Sequence, residues 1–157
     1  MSTPETPSQT AGPYVHLGLL PDKLAPLTRS VARPALRLEG VIFDGADEPV
    51  LDALVELWDA STGQWLRSAT HAETGLYQFA LRPPAASFVS LYILARGINL
   101  GLHTRAYLEP APNDPLLATL GPRAATLMAE PRETGELPIW RFDIRLQGEG
   151  ETVFLNP

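Results

Sequence analysis

The sequence predicts an all-β protein, an antiparallel β-sandwich preceded by an extended N-terminal arm. Three observations carry this reading. Short segments alternate between apolar and polar residues, the period of a half-buried strand. Turn formers separate them: 16 prolines and 12 glycines among 157 residues favour many short strands over long helices. The most apolar stretch, Phe88 to Leu108, divides into two strands around Ala95-Arg96-Gly97-Ile98-Asn99.

The elements follow in chain order. Met1 to Gly12 is polar, carries Pro4 and Pro7, and reads as an arm. Gly12-Pro13-Tyr14 ends it and leads into the apolar Val15–Leu20, a segment suited to docking on a sheet or another subunit. Pro26 and Pro34 break any helix over Asp22–Pro34. Residues 1–34 are therefore assigned to the arm and an irregular segment, and residues 35–157 to the sandwich domain. Leu36–Phe43 alternates as a first strand, and Asp44-Gly45-Ala46-Asp47-Glu48-Pro49 is turn chemistry. Leu54–Trp58, Gln64–Ala69 and Leu76–Leu81 supply three more strands, the last closed by Pro83-Pro84.

Phe88–Leu94 is apolar on both faces, as suits an inner strand covered on two sides, and Leu102–Leu108 follows it. Asp114-Pro115 starts one helical turn, and Gly121-Pro122 is expected to stop it. Ala124–Met128 is expected as a short strand. Ile139–Leu146 shows the cleanest alternation, with Trp140, Phe142, Ile144 and Leu146 on one side. Thr152–Leu155 is expected as an edge strand, which makes about eight strands in all.

Composition removes several function classes. A net charge of −6 argues against a surface for nucleic acid or an anionic membrane. The chain has no cysteine, so disulfides and thiolate chemistry are excluded. The first twelve residues lack the basic and apolar regions of a signal peptide, and the expected location is the cytoplasm. No apolar run reaches membrane-spanning length.

The chemistry-bearing residues are few. His16, His71 and His103 show no metal-ligand spacing and read as surface or hydrogen-bonded strand histidines. No nucleophile elbow, P-loop or dinucleotide motif occurs. Glu56 and Asp143, each inside a strand, are expected to pair with an arginine on a neighbouring strand. Trp58, Trp65 and Trp140 are expected in the core. Arg96 ends the most apolar strand beside a glycine. Spacing leaves it as either a solvated cap or a cation for a ligand.

Three blocks add a resemblance: TPSQTAGPYVHLGL (Thr6–Leu19), LARGINLGLHTR (Leu94–Arg105) and RFDIRLQGEGETVF (Arg141–Phe154). In this order they resemble the intradiol ring-cleaving dioxygenases, on the side of the alpha chains of the protocatechuate 3,4-dioxygenase type. The resemblance implies a prealbumin-like β-sandwich. It also implies an assembly in which a related beta chain holds Fe(III) with two tyrosinates and two histidines. Phe88-Val89-Ser90 stands where beta chains carry an HxH pair, and the shortened loops around it hold no tyrosine. No catalytic residue and no metal ligand is therefore expected in this chain. Arg96 resembles the alpha-chain arginine that binds an aromatic dihydroxy acid. Gly12, Pro13 and Tyr14 resemble arm residues lining the same cavity.

A non-enzymatic reading stands beside it. LEGVIFDGADEPVLDALVELWD looks like the hairpin pattern of prealbumin-like binding or adhesion modules.

Overall fold

The computed structural model describes residues 34–132 and 137–156. Among the described residues nine strands form two sheets, where the alternation predicts about eight in a sandwich. One sheet is built on β1 (Leu36–Phe43), which pairs antiparallel with β4 (Leu76–Leu81). The other runs β3 (Gln64–Ala69), β2 (Leu54–Asp59), β5 (Phe88–Leu94), β6 (Leu102–Tyr107), all antiparallel. Leu38, Ile42, Tyr77, Phe79 and Leu81 face Val55, Leu57, Val89, Leu91 and Ile93 across the interior. These side chains are the inward set of each alternating segment, and their removal from water is the main term holding the sheets together.

The last third of the first sheet departs from a plain antiparallel meander. Ile139–Leu146 was expected as one strand, and it forms two, β8 (Ile139–Arg141) and β9 (Ile144–Arg145), both parallel to β1. A short β7 (Glu130–Arg132) pairs antiparallel with β8. The break has its cause across the sheet, at Gly40 of β1. A Cβ built there would lie 1.8 Å from the carbonyl oxygen of Phe142, so only glycine admits this approach. Phe142 N donates to Glu39 O at 2.8 Å. Val41 N then donates to the Asp143 carboxylate at 2.8 Å, a side chain standing in for the missing ladder carbonyl. The buried Tyr77 hydroxyl donates to Phe142 O, and burial beside Asp143 pushes its pKa well up, so it remains a donor. The alternation keeps its sense across the break, with Phe142 and Ile144 buried.

Two further expectations fail. Ala124–Met128 is not a strand. After the helix α1 (Pro115–Leu120), Gly121-Pro122 does not end helical structure but opens a 3₁₀ helix, Gly121–Leu127. Proline in a first turn and the Ala-Ala that follows suit a helical turn at least as well as a strand. Thr152–Leu155 makes only an isolated bridge, between Leu155 and His103. It acts as a tie between the sheets: Thr152 N donates to Arg145 O at 3.0 Å, while Thr104 Oγ1 donates to Val153 O at 2.7 Å.

The β2–β3 hairpin shows how polar groups hold a loop. Asp59 is 1% exposed and accepts from Ser61 N (2.9 Å), Ser61 Oγ (2.6 Å), Thr62 Oγ1 and Gln64 Nε2 (3.3 Å). Burial by itself raises the Asp59 pKa, but the hydrogen bonds from Ser61, Thr62 and Gln64 outweigh it and hold the carboxyl below its ordinary value. A carboxyl lowered on folding contributes stability above its unfolded pKa of about 3.9 and loses it as pH falls through the folded value. Asp59→Asn is expected to destabilise the chain by about 1.5–3 kcal/mol at pH 7. It should also flatten the loss of melting temperature below about pH 4. Thermal melts at pH 7 and pH 3 check this, and equal acid slopes in both proteins would reject it.

Candidate functional site

The end of β5 builds the candidate site. Ala95 is buried, Ile98 packs against the core, and Ile98 N donates to Ala95 O at 3.2 Å to close a turn. Gly97, at the third position of the turn, has φ +80°, a left-handed value that glycine adopts without strain. Arg96 sits at the second position, between two anchored residues, with its side chain 70% exposed. Its Nη2 lies 2.6 Å from Asp52 Oδ2.

Asp52 was given no role by its position in the sequence, where it lies in a turn. The sheet register places it: Leu54 pairs with Leu94, so the residue two before Leu54 meets the residue two after Leu94. Close by, the Tyr92 ring covers Gly101, where a Cβ would lie 2.1 Å from Tyr92 Cζ. Gly12, Pro13 and Tyr14, the other expected binding residues, lie outside the described residues, as does His16.

The outer face of the second sheet continues from this point. Its residues differ from expectation in one respect. The inward face of β5 is closed, but of the outward residues Tyr92 is 37% exposed, and Phe88, Ser90 and Leu94 are half-buried. Trp58 is 49% exposed on the same face and not in the core. It pairs across the strands with the half-buried Trp65, over which Arg67 lies at 4.9 Å. Alternation tells which residues share a face but not which face is covered. Trp140 is partly buried against the core. Glu56 pairs with Arg67 on the neighbouring strand at 2.5 Å, as expected, while Asp143 pairs with Arg141 of its own segment at 2.8 Å.

At the other end of β5 the Arg105 guanidinium stacks 4.1 Å from the centre of the Phe88 ring. It lies 3.8 Å from Asp114, which accepts from Tyr107 Oη at 2.8 Å and from Leu116 N as the cap of α1. Burial lowers the His103 pKa, and Arg105 beside it lowers it further, so the imidazole is neutral near pH 7. His103 Nδ1 has no hydrogen-bond partner among the described residues. His71 is exposed, and its Nδ1 accepts from Glu73 N.

A separate open cleft, between the Asp44–Asp47 turn and Gln147–Gly150, carries Asp44, Asp47 and Glu149 around Arg145, which pairs with Asp47. Its charge is wrong for an anionic ligand, whereas the Arg96 turn presents an accessible cation.

The chain is 33% identical over 194 residues to the protocatechuate 3,4-dioxygenase alpha chain of Pseudomonas putida, covering 98% of this chain and 96% of the relative. It is 30% identical to the alpha chain of the same name from Burkholderia cepacia, covering 97% of each. The chain belongs to the protocatechuate 3,4-dioxygenase alpha-chain family. No family profile matches it.

Solved structures agree on the fold. The dioxygenase domain of a dioxygenase–carbohydrate-binding fusion from Streptomyces sp. SirexAA-E superposes with TM-score 0.53 at 19% identity, covering 81% of this chain and 86% of that one. Catechol 1,2-dioxygenase from Acinetobacter sp. ADP1 gives 0.53 at 17%, covering 83% and 60%.

The family resemblance implies Fe(III), held in the related beta chains by tyrosinates and histidines. Among the described residues no group of three His, Cys, Asp or Glu side chains is placed to hold a metal ion. On the β5 face Phe88 lies under the Arg105 guanidinium, and Ser90 stands opposite Arg105 on β6. A phenyl ring, a hydroxyl and a fixed cation do not fit a ferric ion. Among the described residues no helix is long and apolar enough to cross a membrane.

Proposed function

We propose that the chain is the iron-free alpha subunit of a protocatechuate 3,4-dioxygenase, active only with an iron-bearing beta chain. The complex would cleave 3,4-dihydroxybenzoate with O₂ to 3-carboxy-cis,cis-muconate. Fe(III) and the ring-opening chemistry belong to the partner beta chain. This chain contributes a wall of the substrate pocket: Arg96 receives the ring carboxylate, and Gly12, Pro13 and Tyr14 of the arm line the cavity beside it.

The observation that carries the reading is similarity along nearly the whole length of two alpha chains. The Arg96 turn supports it physically. An exposed guanidinium on an anchored turn can donate charge-assisted hydrogen bonds to a carboxylate without moving the backbone. Co-expression with the beta-type chain, followed by oxygen uptake and iron analysis, tests the proposal. Iron and ring cleavage are expected in the co-purified assembly. Stoichiometric iron on the isolated chain, or ring cleavage by it alone, would overturn it.

A further inference from the structure

Resting on that reading, we propose that Asp52 is a positioning residue for Arg96. Its role is to set the preference of the assembled enzyme for catechols that carry a carboxylate.

Arginine at the second position of a loop turn, 70% exposed, would sample many rotamers in the absence of a partner. Asp52 removes that freedom, because its own backbone is held. Ala53 N donates to Thr70 Oγ1 at 3.0 Å, Thr70 N donates to Ala53 O at 2.9 Å, and Leu54 is fully buried in register with Leu94. The Asp52 side chain is only 24% exposed, seated against the protein beside the turn. Both members of the pair therefore stand on rigid supports. This differs from Arg123 and Glu151, 3.6 Å apart with side chains 59% and 44% exposed.

The pairing engages a single Nη2. Nη2 carries two hydrogens, one directed into the Nε edge of the planar guanidinium and one into the Nη1 edge, so a carboxylate held on one edge leaves the other edge to receive a second carboxylate. Asp52 also opposes an incoming anion by charge. At this exposure solvent screens that repulsion, so fixed orientation outweighs it.

Three variants of the assembled enzyme separate the terms. Asp52→Ala removes tether and charge, Asp52→Asn removes the charge and keeps an acceptor, and Arg96→Ala removes the cation. For Asp52→Ala we expect KM for 3,4-dihydroxybenzoate to rise about three- to tenfold with kcat unchanged. Asp52→Asn should fall between it and the parent. The inhibition constant of 1,2-dihydroxybenzene, which lacks the carboxylate, should stay constant throughout. An unchanged or lowered KM in Asp52→Ala, with Arg96→Ala still raising it, overturns the positioning role and leaves the subunit reading standing. An unchanged KM in Arg96→Ala overturns the binding role of Arg96 and this inference with it.

Discussion

Gly40→Ala is expected to remove most of the stability of the chain. The added methyl carbon would sit 1.8 Å from Phe142 O, 2.6 Å from Phe142 C and 2.8 Å from Tyr77 Oη. Two of these atoms are backbone, so no rotamer change relieves the overlap. β1 or the 142–143 segment must move, and Tyr77→Phe142 and Val41→Asp143 hydrogen bonds go with it. A buried clash that also breaks a hydrogen-bond network belongs among the rare substitutions costing more than about 4 kcal/mol. For a domain of this size that is a drop in melting temperature of roughly 10–15 °C, or a failure to fold. Gly63→Ala is the control. Its φ of +67° opposes a side chain, but nothing lies within 4 Å. It should cost only the backbone strain, about 1–2 kcal/mol. Circular-dichroism melts of the two variants check the contrast, and equal shifts would refute the packing argument.

The same region shows what local pattern can and cannot convey. Strands β1 to β6 were legible because alternation and turn residues are properties of neighbouring positions. The break between β8 and β9 was not legible, because its cause is a glycine about a hundred residues earlier, with Asp143 reaching Val41 across 102 residues of chain. The 3₁₀ helix Gly121–Leu127 was misread for a different reason. A short run with few polar residues fits either period, and Leu127 is its only buried residue. Trp58 was placed in the core on hydrophobicity, yet hydrophobicity does not say which face of a sheet is covered. At the candidate site, Arg96 was legible as a cation ending an apolar strand. Asp52 was not, since its place beside Arg96 exists only once β2 pairs with β5.

Arg96→Ala should raise KM for 3,4-dihydroxybenzoate in the assembled enzyme by about 10- to 100-fold. Hydrogen bonds to a charged group contribute about 1.5–3 kcal/mol, and each 1.4 kcal/mol is tenfold in affinity. In the proposed pose the guanidinium holds the carboxylate, which is remote from the bonds that break. Such an interaction is the same in ground and transition states, so kcat should change little. Misfolding is not an alternative explanation for the loss. The side chain is 70% exposed, and an exposed pair of this kind contributes at most about 1 kcal/mol, so the melting temperature should hardly move. Arg96→Lys should recover only part of the affinity, because an ammonium lacks the planar fork that meets two carboxylate oxygens. The pair with Asp52 adds an internal check. Once Arg96 is alanine there is no guanidinium left to orient, so Asp52→Ala in that background should leave KM where Arg96→Ala alone put it. Oxygen-uptake kinetics on the four proteins of this cycle measure the coupling directly. Additive KM effects would mean that Asp52 and Arg96 act on the substrate separately.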